Sequence, residues 1–324
     1  MGSPSRDIVV IGGSAGALDP LKQIIASLPA DLPVAVIVVL HLGATSRSSL
    51  ATILDRLGGL AGAIPRDGDP IKQGFVYVGV PDHHLEVAGD TLRLTKSPKV
   101  NGARPAIDVL FRSAAAAFGQ RVIGVILSGG LDDGAAGLAV VQAAGGIGIA
   151  QSPDDALVES MPKNAILAAH PKHVLRADEI GEMIIQTVRG SAVEEVVPSS
   201  NGEEFEMEAV GAHDAPGQLT GLTCPDCHGS IWIEKEGGEA TFRCRIGHSY
   251  SPESFFEIQA ENVENALWAG VRSLEEQAAL ADVMASRALK QGDKQVHERF
   301  QRRHQIAGAN ADTLRQLLLE RSDP

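Results

Sequence analysis

The chain has 324 residues, of which 44% are hydrophobic and 21% charged, and a net charge of −13. That leaves room for one large core and a smaller second one in an ordinary globular composition. The acidic balance argues against a nucleic-acid groove or a polybasic membrane anchor, and the longest apolar run, Val34–Leu40, has the length of a buried strand, too short to span or insert into a membrane.

At the start, Ile8–Ile11 runs straight into glycines, so no signal-peptide core is present and the cytoplasm is the expected location. From Asp7 to about Arg189, continuous apolar runs (Ile8–Ile11, Val34–Leu40, Val122–Leu127, Gly146–Ala150) alternate with amphipathic stretches. Strands buried on both faces read this way, and helical crossovers between them predict a doubly wound, mostly parallel α/β sheet. Val76–Val78 and Leu92–Leu94 read as shorter strands, expected to form a hairpin at one edge. Residues 190–219 carry Glu194, Glu195, Glu203, Glu204, Glu206, Glu208 and Asp214 without a Lys or Arg, an extended acidic linker.

Residues 220–250 hold all three cysteines, Cys224, Cys227 and Cys244. An odd, clustered set without a secretion signal points to a metal site, not a disulfide framework. Cys224-Pro225-Asp226-Cys227 is a zinc-knuckle sequence, and Cys244 with His248 supplies the second half. Ile231–Glu234 and Ala240–Arg243 flank Gly237-Gly238 as a hairpin, so the expectation is a zinc ribbon with a closed, structural Cys₃His Zn²⁺ site. His228 is a competing fourth ligand, made awkward by its adjacency to Cys227.

Residues 251–324 read as a helical hairpin. Ser251-Pro252-Glu253 is a helix start, with a hydroxyl cap, a proline in the first turn and an acid near the positive dipole end. Leu267, Val271, Leu274, Ala278, Ala281 and Ala285 recur at helical spacing, and a second helix carries Val296, Phe300, Ala307, Leu314 and Leu318 beyond a Gln291-Gly292-Asp293 break. Self-packing is favoured over a coiled-coil or helical partner, because fewer than four clean heptads are present.

Gly12-Gly13-Ser14-Ala15-Gly16 follows the first strand and precedes a helix, which is the G-x-S-x-G arrangement in its proper context. Small neighbours permit a sharp turn that exposes the serine hydroxyl and aims the Ala15 N–H at a developing oxyanion. A dinucleotide-binding turn is disfavoured, because Ile11 stands where its first glycine belongs and His41 where its acid belongs. His41 ends the second strand, and Asp132 and Asp133 follow the Val122–Leu127 run, so a hydroxyl, an imidazole and carboxylates converge on one carboxyl edge.

Ile11 to Gly16, Phe75 to Leu85, Arg104-Pro105-Ala106-Ile107-Asp108-Val109-Leu110-Phe111, Asp133 to Leu138 and Met161 to Ala165 together resemble, in order, the motifs of the CheB protein-glutamate methylesterases. The resemblance implies a Ser14, His41, Asp133 triad and hydrolysis of glutamate γ-methyl esters on a methylated chemoreceptor or related signalling protein. Glutamine deamidation is a related activity. It also suggests Arg104 as a substrate-side charge. The family's T-G-M-G is here Ser128-Gly129-Gly130-Leu131, followed by an extra acid at Asp132, and its Q-H-M-P is Leu40-His41-Leu42-Gly43. These departures bear on substrate fit, and a binding or regulatory protein that keeps the esterase fold is the alternative. The receiver domain usual in the family is not in this sequence, so switching by its own phosphorylation is not expected. The ribbon resembles modules appended to some CheB-like proteins and is expected to stand apart from the 1–189 catalytic domain, with no cofactor needed for catalysis.

Overall fold

The computed structural model describes residues 6–41, 50–190, 217–236 and 239–320. The acidic linker predicted from composition falls almost wholly outside the described residues, as does Gly237-Gly238. In chain order the α/β elements are β1 (Ile8–Gly13), α1 (Leu18–Ser27), β2 (Ala35–Leu40), α2 (Leu50–Asp55), β3 (Ala61–Ala63), β4 (Phe75–Val78), β5 (His84–Ala88) and β6 (Thr91–Thr95). There follow α3 (Ile107–Phe118), β7 (Val122–Ile126), α4 (Ala135–Ala143), β8 (Ile147–Gln151), α5 (Ser160–Ala169), β9 (His173–Leu175) and α6 (Ala177–Val188).

Seven of these strands form one sheet in the order β3-β4-β2-β1-β7-β8-β9, with every pairing parallel. The apolar runs are continuous because alternate side chains enter two different cores. Val9, Ile11, Val36, Val38, Ile123 and Val125 pack with α1 and α6 residues such as Leu21, Ile24, Ile180 and Ile184. Ile8, Val10, Ile37, Val39 and Ile126 face the other way, against Leu110 and Phe111 of α3 and Leu138 of α4.

The expected edge hairpin is not formed. Val76 and Val78 are buried, and β4 runs parallel to β2 with Val36 opposite Val76, inside the main sheet. The Leu92–Leu94 segment lies in β6, which pairs antiparallel with β5 in a separate two-stranded sheet. Short apolar runs carry element type but no partner information.

Beyond the α/β part, β10 (Gln218–Thr223), β11 (Ser230–Glu236), β12 (Glu239–Cys244) and β13 (Ser249–Tyr250) form an antiparallel four-stranded ribbon. The chain divides into two compact units, and the ribbon belongs to the first, which runs to Phe255. It is not held apart from the seven-stranded sheet. Asn101 N–H donates to the Ser249 carbonyl at 2.9 Å and Ser249 N–H to the Lys99 carbonyl at 3.3 Å, so β13 satisfies its outer edge on this loop. Lys99 Nζ reaches Asp226 of the ribbon at 2.7 Å.

The second unit, from Phe256 onward, contains most of α7 (Pro252–Lys290) and all of α8 (Lys294–Glu320). His297 bonds the Ala285 carbonyl and His304 the Ala278 carbonyl, so the two helices run antiparallel. Val271, Ala278, Ala281, Ala285, Ala307 and Leu318 are buried in the seam, the spacing expected of a self-packed hairpin. Asp293 caps α8 by accepting the Val296 N–H at 3.0 Å. Among the described residues, no helix is long and apolar enough to cross a membrane.

Candidate active site

The carboxyl ends of β1, β2 and β7 are tied together where the serine emerges. His41 N–H donates to the Gly13 carbonyl at 3.1 Å, and Ser14 N–H donates to the Ser128 carbonyl at 2.9 Å. Ser14-Ala15-Gly16 turns sharply before α1; Gly16 has φ +80°, and a Cβ there would lie 2.7 Å from Ser128 Oγ and from Leu157 Cβ. The Ser128 hydroxyl fixes this turn by donating to the Ala15 carbonyl at 2.8 Å while accepting the Val158 N–H. Among the described residues the Ala15 N–H has no acceptor within the protein, leaving it available to an oxyanion.

His41 Nε2 lies 2.8 Å from Asp133 Oδ2, and the Asp133 side chain is 2% exposed. With Nε2–H engaged by a carboxylate, Nδ1 is left as the basic nitrogen. The Ser14 hydroxyl makes no hydrogen bond among the described residues, a looseness common before substrate closes such a site.

Asp133 is held by more than histidine. Oδ2 also accepts the Ile107 N–H at 2.7 Å, and Oδ1 accepts the Asp108 N–H and Asn101 Nδ2, both at 3.2 Å. Ile107 and Asp108 open α3, so the carboxylate sits at a helix N-terminus. This approach needs Gly134, at φ +93°, where a Cβ would stand 2.6 Å from Ile107 and Ile126 side chains. Burial works to raise the Asp133 carboxyl, but the bond and charge of His41 and the two helix N–H groups outweigh it and hold it below its ordinary value.

Asp132 does not compete for His41. Its Oδ1 accepts the Ser254 hydroxyl at 2.5 Å. Burial raises its carboxyl above the usual value, against the lowering effect of the Ser251 and Ser254 hydroxyls. Arg104 is also committed: Nε and Nη2 grip Asp82 Oδ1 at 3.0 and 2.5 Å, and Nη1 donates to the Ser97 carbonyl at 2.9 Å. The arginine therefore braces the loop before α3, and its role as a free substrate-side charge is not supported by this geometry. Leu131, where the resemblant motif has glycine, takes φ +62°, and Asn164 Nδ2 holds its carbonyl at 3.1 Å.

The sequence did not single out Asn101 or the side chain of Asp108. Asn101 Nδ2 bridges Asp133 and Asp108, and Asp108 Oδ1 takes the Gly137 N–H at 2.6 Å. Burial first, then the neighbouring Asp133 charge, pushes the Asp108 carboxyl from 3.8 up to about 7. An acid raised in the folded state stabilises it fully below 3.8 and loses that contribution as pH rises through about 7. Asp108→Asn should therefore melt lower than the parent at about pH 5, with the gap narrowing or reversing by about pH 8. Thermal denaturation across that range checks this; a gap that stays constant from about pH 5 to about pH 8 would show that Asp108 is ionised throughout.

The CheB methylesterase family pattern matches residues 9–184, more than half of the chain. The chain belongs to the CheB methylesterase family. A relative from Symbiobacterium thermophilum, named protein-glutamate methylesterase/protein-glutamine glutaminase, is 43% identical over 141 residues, 43% of this chain and 39% of the relative. Another from Pseudomonas aeruginosa, named protein-glutamate methylesterase/protein-glutamine glutaminase 2, is 38% identical over 145 residues, 44% of this chain and 41% of the relative. The chain thus matches well under half of the length of these relatives. The crystal structure of the Thermotoga maritima CheB methylesterase catalytic domain matches with a TM-score of 0.54 at 36% identity, covering 56% of this chain and 99% of that one. The match to CheB domains lies in the α/β part and leaves the ribbon outside it.

In the ribbon, Cys224, Cys227, Cys244 and His248 present ligand atoms that all lie within 4.8 Å of one another. Cys227 and Cys244 sulfurs are 3.5 Å apart, too far for a disulfide, and His248 Nδ1 lies 3.7 and 3.5 Å from the sulfurs of Cys224 and Cys244. A tetrahedron with Zn–S of ~2.3 Å and Zn–N of ~2.0 Å has edges of about 3.5–3.8 Å, so the donor set fits zinc in size as well as softness. His228 is not part of the cluster.

Proposed function

We propose that this chain is a serine-dependent protein-glutamate methylesterase that acts on methylated chemoreceptors or related signalling proteins, in the adaptation of chemotaxis or a similar response. The observation that carries the reading is the 2.8 Å contact of His41 with a buried, multiply held Asp133, at the same strand edge as Ser14. In the mechanism, His41 Nδ1 takes the Ser14 proton as Oγ attacks the γ-carbonyl carbon of the ester. The Ala15 N–H stabilises the oxyanion, and the imidazolium returns its proton to methoxide, which leaves as methanol. Water then repeats the sequence on the acyl-enzyme to free the glutamate. A glutamine side chain offers the same carbonyl with ammonia as leaving group, which supports glutaminase activity as a companion. A fluorophosphonate should modify Ser14, and methanol should be released from a methyl-esterified receptor fragment; a protein that does neither is not this enzyme.

The Cys₃His cluster is read as a structural Zn²⁺ site, since four protein ligands leave no open position for chemistry. Zinc would supply folding free energy to a ribbon too small to bury a core of its own. One zinc per chain is expected by elemental analysis, lost in Cys224→Ser; a full complement in that variant would remove Cys224 from the ligand set.

A further inference from the structure

Among the described residues, Asn101 bonds both the ribbon, at Ser249, and the buried Asp133. Asn101 is 8% exposed, and its N–H, Oδ1 and Nδ2 are all engaged. Its N–H donates to the Ser249 carbonyl at 2.9 Å, and its Oδ1 accepts the Ser251 N–H at 3.0 Å. Its Nδ2 then donates to both Asp133 and Asp108. Asn101 also has φ +50°, a conformation that a non-glycine residue keeps when its surroundings impose it.

The far side of this clasp is built on the cysteine cluster. Ser249 directly follows the ligand candidate His248, and β13 pairs with β12, which ends in Cys244. Tyr250, 1% exposed, places its hydroxyl 3.4 Å from Cys224 Sγ and donates to Asp226 at 2.7 Å, the same carboxylate that Lys99 grips. Segment 99–101 is therefore anchored at both ends by groups whose positions depend on the ribbon being folded.

We propose that Asn101 is a positioning residue for Asp133 and that the folded Cys₃His ribbon holds Asn101 in place, so that loss of the metal slows hydrolysis at Ser14 without any metal chemistry in the reaction. The inference rests on the catalytic and zinc readings above. It reverses the expectation of an independent appendage: released from Ser249 and Ser251, the Asn101 amide no longer fixes Asp133 Oδ1, and the imidazole bound to Oδ2 loses its alignment. Misplacement on the scale of an ångström costs about 100-fold in rate.

The test uses the full chain with p-nitrophenyl acetate as the ester. Asn101→Ala, Cys244→Ser and the parent stripped with 1,10-phenanthroline should each lose about 100-fold in kcat, with KM nearly unchanged. The double variant should lose no more than either single one, because the residues act in series. Added Zn²⁺ should restore the stripped parent. Amide hydrogen exchange supplies a reading independent of turnover: stripping should speed exchange at Asn101, Ile107 and Asp108. A stripped or Cys244→Ser protein with parental kcat and unchanged exchange at those three amides overturns the proposal, as do single losses that multiply. Should the parent hydrolyse nothing and resist fluorophosphonate, the catalytic reading fails, and the exchange result alone decides whether the ribbon holds Asn101.

Discussion

Ser14→Ala and His41→Ala should each lower kcat for ester hydrolysis by about 10⁵–10⁶-fold, and the double variant should be no slower than either. The serine supplies the bond-forming oxygen and the histidine the base tied to the buried Asp133, so removing either ends the same step. Their effects on the fold should differ. The Ser14 hydroxyl makes no hydrogen bond among the described residues, so Ser14→Ala should melt with the parent. His41→Ala takes from Asp133 one of its four donors, and should cost about 1–3 kcal/mol in stability. Steady-state kinetics on an activated ester, with circular dichroism melts of the same samples, reads both. Retention of most activity in Ser14→Ala with loss in His41→Ala would move the nucleophile elsewhere, to a water activated by the imidazole.

The parts of this site that could be read ahead of the structure are those in which chemistry and local pattern coincide. Ser14 lies between a four-residue apolar run and an amphipathic helix, and His41 ends the next such run, so their common edge follows from strand order alone. The cysteines declare themselves by softness and spacing. Choosing between Asp132 and Asp133 was a different problem, settled on the sequence by family likeness. In the structure His41 is bonded to Asp133, beside the α3 N-terminus that Gly134 allows to approach. Gly134 permits that approach, but the Ile107 and Asp108 N–H groups that make it lie 26 and 25 positions away. Asn101 is hidden for the same reason: in an Asn-Gly turn it has the look of a plain loop residue, and its partners lie 7, 32 and 150 positions away. The ribbon was expected to stand clear because the linker is acidic, yet charge in a linker says nothing about the open edge of β13, which needed backbone partners and found Lys99 and Asn101. An Arg-Pro start to α3 did carry a usable signal, since a helix N-terminus at the strand edge is a place for a carboxylate.

Asp133→Asn should separate the two aspartates most sharply. Among the described residues, four groups reach the Asp133 carboxylate and all are donors: His41 Nε2 and the Ile107 N–H on Oδ2, the Asp108 N–H and Asn101 Nδ2 on Oδ1. An amide offers one acceptor oxygen and one NH₂ group, so whichever way it turns, NH₂ must face two donors in a buried site. If the amide nitrogen faces Ile107 and His41, the imidazole must turn its lone pair to it and present N–H to Ser14, the wrong tautomer for a base. If it faces Asp108 and Asn101, the oxygen still serves His41, but the imidazolium formed in the reaction loses its counter-charge. Both outcomes put kcat down by about 10⁴-fold near neutral pH, with KM for a small ester little changed. The buried donor clash should cost about 1–3 kcal/mol of stability as well. Asp132→Asn keeps an acceptor for the Ser254 hydroxyl and leaves His41 untouched, so its kcat should stay within about tenfold of the parent. Kinetics of the two variants side by side decide the matter: a large loss in Asp132→Asn with a mild one in Asp133→Asn would mean that His41 is oriented by the other carboxylate during turnover, and that the edge rearranges when substrate binds.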